Sequence, residues 1–144
     1  MPPLHILFVD DDSDESYLFN EALEHSGLHM NLSRANNGNH LISLLQNEAP
    51  PDMIIMDINM PYKDGVEALT EIRNSSTFKD IPVIIYSTTK NEKSIDDCYE
   101  KGADLFVVKP NNFDGMVRVV KQLCTMDWKS HKKPSRKDFI ITEE

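Results

Sequence analysis

Met53-Ile54-Ile55-Met56-Asp57-Ile58-Asn59-Met60-Pro61 is the stretch on which the architecture turns. Four consecutive apolar residues predict a parallel strand covered on both faces, because a strand with one wet face would alternate. Asp57 then emerges at the strand's carboxyl end, where open α/β sheets place their ligand crevice. Three other runs end in the same manner. Leu4-His5-Ile6-Leu7-Phe8-Val9 ends in Asp10-Asp11-Asp12, Val83-Ile84-Ile85-Tyr86 ends in Ser87-Thr88, and Leu105-Phe106-Val107-Val108 ends in Lys109-Pro110. Four strand ends thus bring acids, hydroxyls and one cation to a single rim.

Strand-like runs alternate with amphipathic stretches about a dozen residues long, the pattern of repeated βα units on a parallel sheet. Five units are expected, with strands near 4–10, 29–34, 52–57, 81–87 and 104–109. The second only alternates, as an edge strand can. Helical spacing links Tyr17, Leu18, Ala22 and Leu23, then Leu41, Leu44 and Leu45, then Val66, Leu69 and Ile72. The clearest stripe is Phe113, Met116, Val117, Val120, Leu123 and Cys124. The fourth helix is the poorest, since Ile95, Cys98 and Tyr99 sit among charged residues, and Gly102 is its C-cap candidate.

The 144 residues suffice for one domain that buries a core without staples. Cys98 and Cys124 show no pairing or zinc spacing and read as thiols in a reducing cytoplasm. Nothing signals export or a membrane span. Residues 1–128 carry 21 acidic against 10 basic side chains, a balance that repels nucleic acid. Residues 129–144 carry five basic against three acidic side chains and include a short apolar piece, Phe139-Ile140-Ile141. They are expected to form a solvated tail without an output domain; docking on a sheet edge or a partner is the second reading.

Three carboxylates gathered on one rim repel one another, so electrostatics alone calls for a cation. Asp10-Asp11, Asp57, Ser87 and Lys109-Pro110, in this order at four strand ends, resemble the receiver domain of two-component response regulators from about Leu4 to about Thr125. The resemblance is to the stand-alone, chemotaxis-regulator type. The Tyr86-Ser87-Thr88-Thr89 run and the basic tail are similar to those of receivers paired with phytochrome-like or hybrid kinases.

The resemblance implies a flavodoxin-like, doubly wound sheet of order 2-1-3-4-5. It makes Asp57 the phosphoacceptor and gives Mg2+, with Mn2+ as a substitute, to Asp10, Asp11, Asp57 and the backbone carbonyl of Asn59. Lys109 would meet Asp57 at rest and a phosphoryl oxygen afterwards, ahead of a cis peptide at Pro110. Ser87 and Phe106 would form the switch pair, and Thr88 and Thr89 would modulate access to the acyl phosphate. Asp12 reads as a helix N-cap.

The implied partners are a sensor histidine kinase or phosphotransfer protein and a downstream target. The target would meet the face of helix four, strand five and helix five around Ile95, Tyr99 and Phe106, on a monomer or weak homodimer. The five histidines lack ligand spacing, so the phosphoryl group must come from elsewhere. The alternative reading is an unphosphorylated binding module of the same fold. A haloacid-dehalogenase-type phosphatase would share only the Asp10-x-Asp12 start, and a flavodoxin would need a phosphate loop where Asp10 to Glu15 holds five acids in six residues.

Overall fold

Strong β-formers at 4–9, 53–56, 83–87 and 105–108 pair into one sheet in the computed structural model, which describes residues 4–28, 30–60, 63–128 and 130–142. The elements are β1 (Leu4–Val9), α1 (Ser13–His25), β2 (Met30–Ala35), α2 (Gly38–Asn47), β3 (Met53–Met56), α3 (Gly65–Arg73), β4 (Val83–Ser87), α4 (Glu92–Glu100), β5 (Leu105–Val108), α5 (Phe113–Thr125), a short 3₁₀ turn (Arg136–Asp138) and β6 (Ile140–Ile141). The strand order is β2-β1-β3-β4-β5-β6 and every neighbouring pair is parallel. This is the expected flavodoxin-like sheet with one added strand. His29, Pro61, Tyr62 and Lys129 lie outside the described residues.

Alternation along the buried strands divides the core in two. Ile54 and Met56 join Leu41, Leu69, Ile95 and Phe106 on the α2–α3–α4 side. Met53 and Ile55 join Phe19, Leu23, Val120 and Leu123 under α1 and α5. As anticipated, β2 is an edge strand and α4 is lightly anchored, with only Ile95 and Cys98 buried. Gly102 has φ 100°, the left-handed geometry that ends a helix without a Cβ clash. Both cysteines are free and buried, and burial pushes Cys98 up to about 12 and Cys124 to about 11.

The expectation of a solvated tail is corrected for residues 130–142, which fold back on the domain. Tyr99 Oη donates to the Pro134 carbonyl at 2.9 Å, Phe139 is fully buried, and β6 pairs with β5 in the register Phe106↔Ile140 and Val107↔Ile141. Two complementarities drive this. The β5 edge would otherwise present unpaired backbone groups, and the basic tail meets the acidic α4 through Arg136 with Asp96 at 2.8 Å and Glu92 at 3.1 Å.

Candidate functional site

The rim is assembled by neighbouring strands whose register aligns their ends: Val9 pairs with Met56, and Ser87 with Val108. The next residues on three of these strands are Asp10, Asp57 and Lys109. The Asp57 amide donates to the Val9 carbonyl at 3.1 Å, and the Lys109 amide donates to the Ser87 carbonyl at 2.9 Å. These backbone bonds hold the acceptor, the acid and the cation in fixed relation.

Lys109 Nζ lies 3.5 Å from Asp57 Oδ2 and 3.7 Å from both Asp10 Oδ2 and Glu15 Oε1. Its side chain is 11% exposed, so these charges are screened far less than surface pairs. All three separations exceed an ideal hydrogen bond, which describes one ammonium shared among carboxylates and not a single tight pair. The same ammonium stands 5.5 Å from the centre of the Tyr86 ring.

Asp10 is 2% exposed. Its Oδ1 accepts from the Asp12 amide at 2.8 Å, and its buried Oδ2 has no hydrogen-bond partner among the described residues. Burial pushes the Asp10 carboxyl from 3.8 up to about 6, opposed by the Asp12 amide and Lys109 and reinforced by Asp57 and Glu15. Arg34 holds the same loop by donating to the Asp10 carbonyl at 3.0 Å. Asp12 caps α1, its side chain accepting from the Asp14 amide at 2.9 Å.

Asp57 Oδ1 accepts from the Asn59 amide at 3.2 Å, leaving Oδ2 toward Lys109. Among the described residues no three Asp, Glu, His or Cys side chains gather as a metal cluster. Asp10 and Asp57 converge on Lys109; exposed Asp11 does not join them. The set still suits a hard divalent ion. Magnesium is usually held by one or two carboxylates and retains several waters, and Asp10 Oδ2 is a buried acceptor without a donor.

Ser87 is 1% exposed, and its Oγ accepts from the Thr89 amide at 3.3 Å. Thr88 is exposed at the mouth of a cleft of about 270 Å³ that Glu15, Lys109, Pro110 and Phe113 also line. Phe106 is fully buried, its ring centre 6.4 Å from that of Phe139. The expected cis peptide at Pro110 is corrected, because no peptide bond among the described residues is cis. The trans form is the lower in energy for X–Pro, and it coexists here with the Lys109 amide bond to Ser87. The expected open partner face is corrected too: Ile95 and Phe106 are buried and Tyr99 is half-buried beneath the folded-back tail.

Two participants were not singled out in the sequence. Glu15 lies in the first turn of α1 and faces Lys109. It was legible only as one of several acids. Gly65 opens α3 against β3: a Cβ there would stand 2.6 Å from the Asp57 carbonyl oxygen and 2.8 Å from Ile58 Cα. Asp64-Gly65 directly after the rim loop was the available signal.

This fold and rim define a receiver domain. Residues 6–121 match the family model described as the response regulator receiver domain, and the chain belongs to that family. Among curated proteins it is 32% identical over 126 residues to the response regulator Rcp1 of Synechocystis sp., covering 83% of this chain and 86% of that one. It is 35% identical over 106 residues to the two-component response regulator ORR5 of Oryza sativa, covering 74% and 78%. Among solved structures it is similar to the phosphorylated cyanobacterial phytochrome response regulator RcpA, with TM-score 0.81, 30% identity and coverage of 93% and 100%. The Mn(2+)-bound form of Rcp1 has TM-score 0.78 at 29% identity, covering 92% and 100%.

Proposed function

We propose that this receiver is a phosphorylation switch in which Asp57 takes a phosphoryl group from the phosphohistidine of a sensor histidine kinase or phosphotransfer protein. The carrying observation is the largely buried ammonium of Lys109, 3.5 Å from Asp57 and shared with Asp10. An Asp57 carboxylate oxygen attacks phosphorus, the O–P bond forms, and the N–P bond breaks with its electron pair returning to the imidazole. Lys109 then follows the negative charge from the carboxylate to a phosphoryl oxygen, and the Ser87 hydroxyl donates to another. Magnesium, or manganese in its place, supplies further charge neutralisation when held by Asp10, Asp57, the Asn59 carbonyl and Asp11.

Water later attacks the acyl phosphate, releasing inorganic phosphate and restoring the carboxylate. Thr88, which lines the cleft beside Lys109, sets this rate together with Thr89, whose amide holds the Ser87 hydroxyl oxygen. The donor meets the rim beside Tyr17, Leu18 and Phe113, the exposed large apolar residues of α1 and the start of α5. A phosphorylated receiver then either alters its contacts with a downstream protein or passes the phosphoryl group onward. The setting is cytoplasmic, and among the described residues no helix is long and apolar enough to cross a membrane.

The test is an amide NMR titration with Mg2+ and beryllofluoride, with Asp57→Asn as control. Metal-dependent shifts at Asp57, Ser87 and Phe106 that vanish in the variant support the switch. Absence of shifts at saturation overturns it in favour of an unphosphorylated binding module.

A further inference from the structure

The folded-back tail covers the face expected to serve a partner, and it does so through Phe106. The Phe106 amide donates to the Phe139 carbonyl at 3.0 Å, and the Phe139 ring lies 5.0 Å from Tyr99 and 6.4 Å from Phe106, centre to centre. The Lys133 ammonium sits 4.0 Å from the Tyr99 ring centre and also donates to the Tyr99 carbonyl. Arg136 bridges Asp96 and Glu92 on α4. At the near end of the tail, His131 Nε2 lies 3.5 Å from Asp104 Oδ1.

These fastenings suit reversible attachment. One buried aromatic ring and a two-residue strand do most of the holding, and the ion pairs with Glu92 and Asp96 are partly solvated and hence weak. The element beneath is equally light, since α4 buries only Ile95 and Cys98. Segments with few buried contacts open at far lower cost than the core.

Phe106 also touches the other end of the problem. It pairs with Ile85 in the β4–β5 register, and Ser87 lies two residues further along β4, so Ser87 and Phe106 project from the same side of the sheet as diagonal neighbours. A Ser87 hydroxyl drawn toward a phosphoryl group leaves space beside the Phe106 ring. Interiors are close-packed, so a large side chain beside such space moves to fill it. A ring that follows Ser87 withdraws from Phe139.

We propose that residues 130–141 are a tethered strap that occupies the α4–β5 face at rest and is released when Asp57 is phosphorylated. Release uncovers an apolar slot beside Tyr99, frees the β5 edge to accept another strand, and leaves Glu92 and Asp96 without Arg136. This rests on the phosphorylation reading above and specifies how that event reaches the protein surface. Linkage makes the coupling reciprocal: release of the strap favours phosphorylation by the same factor by which phosphorylation favours release.

The experiment is hydrogen exchange followed by NMR on the full chain, with and without Mg2+ and beryllofluoride. Exchange at the Phe106 amide, held at rest by Phe139, should accelerate about tenfold in the phosphoryl-mimic state while Leu7 and Ile55 stay protected. Arg136→Glu, which sets like charges against Asp96 and Glu92, should raise the apparent affinity for beryllofluoride about threefold. This surface substitution leaves the core intact, unlike Phe139→Ala, which also cuts a cavity. Shifts at Asp57 and Ser87 with unchanged Phe106 exchange and unchanged Arg136→Glu affinity would overturn the strap alone. Absence of shifts at Asp57 and Ser87 as well would overturn the phosphorylation reading, and the strap mechanism with it.

Discussion

Lys109 Nζ stands 3.5 Å from Asp57 Oδ2, closer than to either of the other two carboxylates it faces. The resting rim therefore has a resident counter-ion of its own. A divalent cation entering beside Asp57 and Asp10 must share their charge with this ammonium.

Lys109→Gln removes that competitor while keeping a polar side chain. Mg2+ should bind the variant several-fold more tightly, since opposite charges some 4 Å apart at a partly buried site interact by a few kcal/mol. The beryllofluoride-induced shift at Phe106 should disappear. Isothermal titration with MgCl2 and the NMR titration read the two effects separately, and weaker Mg2+ binding would refute the counter-ion role.

Asp10 gives the metal-free protein a distinctive pH dependence. Its folded carboxyl is raised to about 6 against 3.8 in the open chain, chiefly by burial, so the folded state binds the extra proton between those values. That contribution is fully present below pH 3.8 and is lost as pH rises through about 6. Its full size is about 3 kcal/mol by linkage. Urea denaturation in EDTA should show wild type losing stability relative to Asp10→Asn across this window. Mg2+ affinity should rise over the same interval, because the ion requires the carboxylate.

Gly65→Ala tests the packing behind the acceptor. The added methyl would press on the Asp57 carbonyl oxygen and Ile58 Cα, both backbone atoms that cannot rotate away. A loss of about 1–3 kcal/mol in denaturation is expected. Slower phosphorylation of Asp57 by acetyl phosphate should accompany it, and unchanged kinetics would show that β3 and α3 adjust without moving the acceptor.

Arg73 supports the opposite end of the sheet. It donates to the carbonyls of Gly102, Lys79 and Ile81, and its guanidinium meets Asp104 at 2.8 Å. Asp104 in turn accepts from the Val83 amide at 2.8 Å. Arg73→Ala leaves the largely buried Asp104 carboxylate with the Val83 amide but no guanidinium, and removes the side-chain donor from three carbonyls, which should cost about 3–5 kcal/mol. Thermal and urea unfolding measure this directly, and Mg2+ affinity should be preserved.

Thr88→Ala widens the mouth of the cleft beside Lys109. Loss of the phosphoryl group from Asp57 should accelerate by about threefold to tenfold, within the usual scale for removing one obstruction to an attacking water. Quench-flow or fluorescence decay after donor removal provides the rate. An unchanged rate would dispose of the gating role.

The rim was legible from the chain alone because it depends on local order: apolar runs of four to six residues bury as parallel strands, and the next residue must emerge at the carboxyl edge. Asp10, Asp57, Ser87 and Lys109 follow from that rule. The same periodicity identified the five helices and the light anchoring of α4.

Tertiary structure alone decided which charges meet. Asp11 belongs to the same acidic run as Asp10, yet the turn after β1 leaves it exposed while Asp10 is buried against Lys109. Glu15 reaches that cation because α1 packs against α5, the helix that follows β5 and Lys109, a relation with no trace in sequence spacing. The tail is the largest case: docking on a sheet edge was only the second reading of its sequence, and the pairing of β6 with β5 makes it the correct one. Phe139-Ile140-Ile141 is too short to declare a strand, and Arg136 has no acidic neighbour at helical spacing. Both acquire partners only when α4 and the β5 edge stand beside them, because edge hydrogen bonds and ion pairs depend on proximity in space and not along the chain.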